Sequence, residues 1–573
     1  MVKLTIDETV MEVPTGTTIL EAARSHGMNI PTLCYYKNLN DIGACRVCLV
    51  ELKDKDKLVT ACNTNVAEGM VVYTNTPAVR EARQTNVELI LSQHRVACTS
   101  CVRGGNCSLQ TLSNQLGAQE PAYQEAWADN QWDMDFPLIR DNSKCIKCMR
   151  CIQVCDHIQS LHVWDVLYPG TQSTIGVHEN KAICDSNCSL CGQCITHCPV
   201  GALSERDDVA RMKKALADPD VTTIVQIAPA IRTAWGEAFG LTPQEATVQR
   251  LATILRHIGF DVVFDTTFSA DLTIMEESSE FLKFMQHKQP NDLPMFTSCC
   301  PGWVRFAKSE YPELLDQLST SKSPQQMFGA VTKTWYADKI GLTPKQIFSV
   351  SIMPCVAKKA EAELPSMTRD DGTPDVDLVL TTREITRMIK SEYLDPKNFA
   401  ESRLDDPLGI GSGAGVIFGS TGGVMEAALR SAYYFVNGEN ADADTFKAVR
   451  GENGCREVTT QLGGKDVKAI VVNGLANTRQ LIENLKAGKV HCDFVEVMAC
   501  PGGCVGGGGQ PIHDGEEMAA RRAPTLYRLD KNDQLRFSHD NPSIKMVYQE
   551  YLGDPLSNTA EHLLHTHHVA SER

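Results

Sequence analysis

The 573-residue chain has no apolar run approaching the roughly 18 residues that a membrane helix needs. Its first residues, Met1–Asp7 (MVKLTID), lack the apolar core of a signal peptide. Neither a membrane span nor secretion is expected, and the cytoplasm is the expected compartment. Positive charge is also scarce: 55 Lys and Arg stand against 71 Asp and Glu, a formal charge of −16. A surface of that sign repels phosphates, which excludes nucleic-acid binding through a general electrostatic footprint. The length suggests about four domains, and a hydrophobic fraction of 42% is ordinary for a globular protein.

Cysteine is what the chain has in excess. Sixteen of its 23 cysteines fall in residues 1–198, and seven are spread over the rest. A disulfide scaffold needs an oxidising compartment and usually a short secreted chain, and neither applies. In a reducing cytosol, thiols clustered at short spacings point to metal or iron–sulfur ligation. Zinc is the competing reading, and spacing has to separate the two.

The first group is Cys34, Cys45, Cys48 and Cys62, spaced C-x10-C-x2-C-x13-C. It follows a strand pattern (KLTID), a turn at Val13–Gly16, and a helix pattern that Thr17 or Thr18 would cap and Gly27 would stop. Strand patterns RVCLVEL and KLVTA flank Cys48 and Cys62. One C-x2-C with two distant thiols on loops suits a [2Fe–2S] cluster, with zinc as the alternative. The second group is His94, Cys98, Cys101 and Cys107, H-x3-C-x2-C-x5-C, after the helical stretch EARQTNVELILSQH. On spacing alone, zinc and a [4Fe–4S] cluster are equally served. The third is an internal repeat. Cys145, Cys148, Cys151 and Cys155 form C-x2-C-x2-C-x3-C, which recurs as Cys188, Cys191, Cys194 and Cys198 before Pro199. This is the bacterial two-cluster signature, in which the fourth Cys of each run ligates the other cluster. Cys198 should therefore join Cys145, Cys148 and Cys151, and Cys155 should join Cys188, Cys191 and Cys194. Four clusters in about 200 residues read as an electron wire that needs a reactive site at one end.

From about residue 210 the pattern becomes short β-branched runs separated by helices such as TIMEESSEFLKFMQ, as in an α/β fold with buried, largely parallel strands. Three runs end on cysteine: PMFTSCC at Cys299-Cys300, IFSVSIMPC at Cys355 and FVEVMAC at Cys500, with Cys504 in a Gly-rich loop. Sites in open α/β sheets lie at the carboxyl ends of strands, so thiols from three strand ends can converge. Unrelated buried thiols are the plain alternative.

The segments TSCCPGW (297–303), MPCVAKKAE (353–361) and EVMACPGGCVGGGGQP (496–511) resemble the three signature motifs of the iron-only ([FeFe]) hydrogenases, in that family's order. The N-terminal groups resemble modules shared by its larger members and the large iron–sulfur subunit of respiratory complex I. The resemblance implies a multidomain α+β and α/β chain. Its parts are a β-grasp [2Fe–2S] ferredoxin-like module (1–78), a one-His/three-Cys [4Fe–4S] module (79–125), a two-[4Fe–4S] bacterial ferredoxin-like module (126–209) and a two-lobed α/β catalytic domain (210–573). It implies that Cys300, Cys355, Cys500 and Cys504 hold the cubane of the H-cluster, Cys504 bridging to a diiron subcluster with CO, cyanide and azadithiolate. Lys358 would donate to a cyanide, Met353 and Met498 would contact the diiron unit, and Pro229, Ala230 and Ser323 would line its pocket. Cys299, with Glu277, Glu280 and Ser319, matches the family's proton relay. The family's outer basic residue is unmatched, because Lys283 and Phe284 occupy that stretch, and for two Glu on a helix a solvated face is the equal alternative.

The implied reaction is 2H⁺ + 2e⁻ ⇌ H2, whose potential at neutral pH, about −0.4 V, ferredoxin-type clusters can reach. Alternatives are a complex-I-like electron-transfer subunit, an iron–sulfur assembly protein and an H2 sensor. The intact TSCCPGW, Lys358 and Cys299 oppose them. The implied electron partner is ferredoxin or an NAD(P)H-oxidising flavoprotein with small iron–sulfur subunits. IGACRVCLVE (42–51) and ACTSCVRGGNCSLQ (97–110), in complex-I style, favour the multimer. No Gly-rich loop is free for a dinucleotide, so NAD(H) would bind another chain. Cys184, Cys455 and Cys492 have no assigned role, and the His-rich end (His562, His565, His567, His568) reads as a solvated tail.

Overall fold

The computed structural model describes residues 1–53, 57–119, 131–289, 292–451 and 454–572. The expected boundary at 125/126 lies outside them. The first module is a five-stranded sheet of β1 (Val2–Ile6), β2 (Thr9–Val13), β3 (Leu49–Leu52), β4 (Lys57–Thr60) and β5 (Val71–Tyr73), in the order β2-β1-β5-β3-β4. Only β1 and β5 run parallel. The helix Ile19–Ser25 lays Ile19, Leu20, Ala22 and Ala23 on Leu4, Ile6, Val50 and Val72. Of the two candidate caps, Thr18 accepts from the Glu21 N–H at 3.2 Å, while Thr17 bonds back to Pro14. Helix Pro77–Ser92 is capped by Thr76 and ends two residues before His94. Arg83 on it donates to the Leu49 carbonyl of β3, tying the second module to the first.

Two antiparallel pairs build the third module: β6 (Leu138–Arg140) with β9 (Leu203–Glu205), and β7 (Trp164–Leu167) with β8 (Thr174–Val177). Eight strands follow: β10 (Thr222–Ile227), β11 (Val262–Asp265), β12 (Met295–Phe296), β13 (Ile347–Met353), β14 (Leu378–Thr381), β15 (Cys455–Leu462), β16 (Lys465–Asn473) and β17 (Phe494–Met498). They form two sheets. One is wholly parallel, β11-β10-β13-β14, and the other, β12-β17-β16-β15, is parallel apart from β15 at its edge. The inner strands are buried on both faces, which is why they read as continuous apolar runs rather than alternation.

The helix Thr266–His287 packs against helices Pro324–Val331, Gly413–Ile417 and Gly423–Asn437. It is capped by Asp265, which accepts from the Thr267 N–H at 2.9 Å. Of the two acidic residues that a solvated face would expose, Glu277 is 0% exposed, as is Glu276, whereas Glu280 is half-buried at the edge of a surface cavity. The His-rich end is not a solvated tail. Thr566 N–H donates to the Thr320 carbonyl and Lys322 N–H to the Leu564 carbonyl, each at 2.7 Å, zipping this segment onto residues 320–322. Ala560 and Leu564 anchor it in a core with Ile544 and Leu552. Only His562 and His567 are exposed. Among the described residues no helix is long and apolar enough to cross a membrane.

Candidate active site

Three strand ends converge between the lobes. Phe296 of β12 leads through Cys299 and Cys300 into helix Pro301–Glu310; Met353 of β13 leads to Cys355; Met498 of β17 leads to Cys500. These thiols and Cys504 line one cavity of about 750 Å³. Lys358 closes one wall, and Pro229, Ala230, Met353, Phe418 and Met498 make the rest largely apolar. The loop Gly502–Gly509 can only be glycine where it approaches. A Cβ on Gly503, whose φ is +87°, would stand 2.6 Å from the Thr421 nitrogen, and one on Gly507 would stand 2.2 Å from the Pro354 oxygen.

Burial first, and the neighbouring thiols second, push Cys355 up to about 12 and raise Cys500 and Cys504 as well. Burial also raises Cys300, against nearby backbone N–H groups. Four such thiolates are tenable in an apolar cavity only beside a metal's positive charge. The donor set, the glycine cradle and the apolar walls therefore fit an iron–sulfur group with an attached organometallic unit.

Lys358 does not stand alone. Its Nζ donates to both carboxylate oxygens of Glu361, at 3.0 and 2.9 Å, and to the Cys299 carbonyl at 3.2 Å. Sequence reasoning missed Glu361, although its i+3 offset from Lys358 was readable. Ser323 is not among the cavity-lining residues: its hydroxyl donates to Glu361 at 2.9 Å and faces an adjoining cavity, while Pro324 and Gln325 line the thiol-bearing one.

Cys299 is buried in the cavity wall, and burial, then the nearby Glu277, raise its thiol well above the usual range, favouring the protonated form. Burial, then the neighbouring Glu280, push the Glu277 carboxyl up to about 8 against the pull of the nearby Ser319 hydroxyl, and no well-formed hydrogen bond engages either of its oxygens among the described residues. Ser319 donates to Glu280 Oε2 at 2.6 Å. Cys299, Glu277, Ser319 and Glu280 thus lie in sequence from the cavity outward.

The accessory groups are also assembled. The Cys34 N–H donates to Cys45 Sγ at 3.4 Å, and Cys34 stands beside Cys45 and Cys48 beside Cys62, so that the neighbouring thiol holds Cys45 and Cys48 below the usual thiol range. His94 Nδ1 donates to the Lys144 carbonyl at 3.0 Å, leaving Nε2 with a free lone pair, and burial keeps the ring neutral, the form that ligates metals. Cys145, Cys148, Cys151 and Cys198 line one small cavity, while Cys155 lies near Cys188, Cys191 and Cys194. No three donors converge closely enough, among the described residues, for a single ion. A cluster takes ligands that stand further apart. Cys184 and Cys455 are exposed, and Cys492 is buried away from the groups.

The packing sets the order of the groups. Asn40 Nδ2 donates to the carbonyls of Cys34 and Cys148, at 2.7 and 3.0 Å. Arg150, 2% exposed, donates to the carbonyls of Leu33, Cys34 and Tyr35. Arg103 donates to the Cys198 carbonyl at 2.8 Å, and a Cβ on Gly201 would stand 2.6 Å from Cys101 Sγ. The Cys145 group therefore adjoins both the Cys34 group and the His94 group. The Cys188 group adjoins the central cavity, where Cys500 Sγ lies 3.7 Å from the Cys191 carbonyl. Neither Asn40 nor Arg150 carried a signal readable from sequence.

A family model described as "Iron only hydrogenase large subunit, C-terminal domain" matches residues 221–508. One described as "Iron hydrogenase small subunit" matches 516–571. Ahead of them match a "2Fe-2S iron-sulfur cluster binding domain" (1–77), an "NADH-ubiquinone oxidoreductase-G iron-sulfur binding region" (83–122) and an "NADH-quinone oxidoreductase subunit 3, ferredoxin-like domain" (137–204). The NADP-reducing hydrogenase subunit HndD of Solidesulfovibrio fructosivorans is 43% identical over 585 residues, covering 100% of both chains. Iron hydrogenase 1 of Clostridium pasteurianum is 39% identical over 557 residues, 96% of each. The solved apo [FeFe]-hydrogenase HydA1 of Chlamydomonas reinhardtii superposes with a TM-score of 0.57 at 42% identity, covering 63% of this chain and 99% of that one.

Proposed function

This chain belongs to the iron-only ([FeFe]) hydrogenases, and from that membership we propose that Cys300, Cys355, Cys500 and Cys504 hold an H-cluster at which 2H⁺ + 2e⁻ and H2 interconvert. The observation that carries the assignment is one apolar cavity lined by these four thiols from three strand ends, with Lys358 and Cys299 in its wall. When bound, the diiron group supplies the redox chemistry that joins protons and electrons. The chain's own residues do the rest. Met353, Met498 and Phe418 keep water out, and Lys358 offers a charged donor for an anionic ligand, held in aim by Glu361. Cys299 gives its thiol proton inward and is resupplied by Glu277, which is protonated at neutral pH. Glu277 is resupplied from Glu280 through the Ser319 hydroxyl, which can hand on one proton as it receives another.

Electrons would travel through one [2Fe–2S] and three [4Fe–4S] clusters. The ligand sets are Cys34/Cys45/Cys48/Cys62, His94/Cys98/Cys101/Cys107, Cys145/Cys148/Cys151/Cys198 and Cys188/Cys191/Cys194/Cys155. The Cys34 and His94 groups give the wire two outer ends that meet at the Cys145 group. All 23 cysteines are free of disulfides, in keeping with a reducing cytoplasm.

The partner we propose is an NAD(P)H-oxidising flavoprotein with small iron–sulfur subunits, rather than free ferredoxin alone. Full-length identity to an NADP-reducing hydrogenase subunit supports it, as do the two modules of complex-I type. Purification of the native chain from its source tests this: flavin should co-purify, and NAD(P)H should drive H2 evolution. A chain that purifies alone and accepts electrons only from ferredoxin refutes the subunit reading while leaving the hydrogenase intact.

A further inference from the structure

The proton path reaches Glu280, and one helical turn further on stands Phe284, which carries no proton. A hydrogen-bonded arm from the C-terminal segment meets Glu280 instead. Glu280 Oε1 accepts from the Thr320 backbone N–H and from the Thr320 hydroxyl, each at 2.9 Å. Thr320 Oγ1 lies 2.8 Å from His565 Nδ1, and His565 Nε2 lies 3.1 Å from Glu276 Oε2. Tyr548 OH and Leu556 N–H donate to Glu276 as well, one to each oxygen, so with this buried group as a carboxylate the proton of the pair sits on His565 Nε2. The Nδ1 side is then free to hold a proton or to accept one from Thr320.

We infer that Thr320 and His565 are the outer arm of the proton path, carrying protons between solvent and Glu280. This deepens the hydrogenase reading and rests on it. In the inward step the Nδ1–H bond of the imidazolium breaks as a Thr320 O–H bond forms. The hydroxyl's original proton passes to Glu280 Oε1, leaving a neutral imidazole and a carboxylic acid, with no electron transferred. When Glu280 hands its proton on through Ser319, the Thr320 hydroxyl turns back to Glu280 and exposes Nδ1. Water then reprotonates the ring from a surface cavity of about 1230 Å³ that Glu280, Thr320 and His565 line together with the exposed Lys283 and His567. His565 is only 8% exposed through its side chain, enough to touch that water while Glu276 fixes its ring.

The test compares holoenzyme carrying Thr320→Val, Thr320→Ser, His565→Gln or His565→Gly with the wild type in dye-driven H2 evolution. Iron content and the CO and cyanide infrared bands establish equal loading. Thr320→Val and both His565 variants should lose at least about tenfold in rate, while Thr320→Ser, which keeps a hydroxyl, should not. Imidazole in the buffer should restore His565→Gly, a response that a packing defect would not give. Independently of turnover, the carboxyl infrared band that Glu280→Gln removes should shift in Thr320→Val and His565→Gln. Fully loaded Thr320→Val and His565→Gln at wild-type rates overturn the inference, as does a loss that imidazole leaves untouched with the Glu280 band unmoved. Should His565→Gln not fold, Thr320→Val decides alone. Cys299→Ser, run alongside, separates the two readings. If it is fully active, the inner relay itself fails; if it is inactive beside unimpaired arm variants, only the arm does.

Discussion

The Cys500 thiol lies 3.7 Å from the backbone carbonyl of Cys191. The central cavity and the nearest accessory thiols therefore share one wall. The glycines make this approach possible. Gly508 lies so near Gly192 that a Cβ on it would stand 2.5 Å from the Gly192 Cα and 2.4 Å from the Cys191 carbonyl.

Gly508→Val should force this wall apart. Overpacking of this kind costs about 1–3 kcal/mol, visible as a lower denaturant midpoint, and reduction of the H-cluster through the accessory clusters should slow. Unchanged stability and electron delivery would show that the contact is not a constraint.

The exchange of fourth ligands in the repeat can be counted spectroscopically. Cys198→Ser should remove the cluster that Cys145, Cys148 and Cys151 share, and leave the one adjoining the central cavity. Cys155→Ser should do the reverse. Electron paramagnetic resonance of the reduced variants decides, and loss of the opposite cluster in each would mean that each run is self-contained.

Cys299→Ser should leave iron content normal and nearly abolish turnover, because serine keeps the shape and loses an accessible proton donor. Glu277→Gln should lower the rate by about 10²-fold or more. Since burial pushes the Glu277 carboxyl up to about 8, its infrared acid band should persist at neutral pH and fade only above that value. The sign carries over to stability. The unfolded carboxyl ionises from its usual 4.5, while the folded one keeps its proton to about 8. The wild type should therefore lose stability relative to Glu277→Gln as pH rises through that window.

Glu361→Gln leaves the enclosed Lys358 ammonium without its counter-charge. Breaking a buried pair in this way costs about 3 kcal/mol, measurable by urea denaturation, and retention of the diiron unit should fall with it. A variant as stable and as fully loaded as the wild type would mean that Lys358 is held by Cys299 and the cluster alone.

Much of this was legible in order and spacing. Strands β13 and β17 fall on the apolar runs that lead to Cys355 and Cys500, because buried parallel strands must be apolar on both faces. The thiol groups were legible because ligand chemistry restricts residue type and offset. The Glu276–Glu280 stretch was not, since an acidic helix reads the same whether it faces water or a partner. Here its neighbours arrive from residues 319–320, 548 and 565, hundreds of positions away in part. The C-terminal small-subunit segment gave no local sign of where it would pack.

By itself, the sequence determined the grouping of the thiols and the division into wire and reactor, and its resemblance to a family supplied the cofactors. Thiol count, spacing and strand-end placement are local properties that chemistry constrains directly. Only the tertiary structure decided which groups adjoin, through Asn40, Arg150 and Gly508, and what surrounds Glu280. Those contacts join residues far apart in the chain, and a side chain's burial and hydrogen-bond partner are set by what folds against it, which no local pattern encodes.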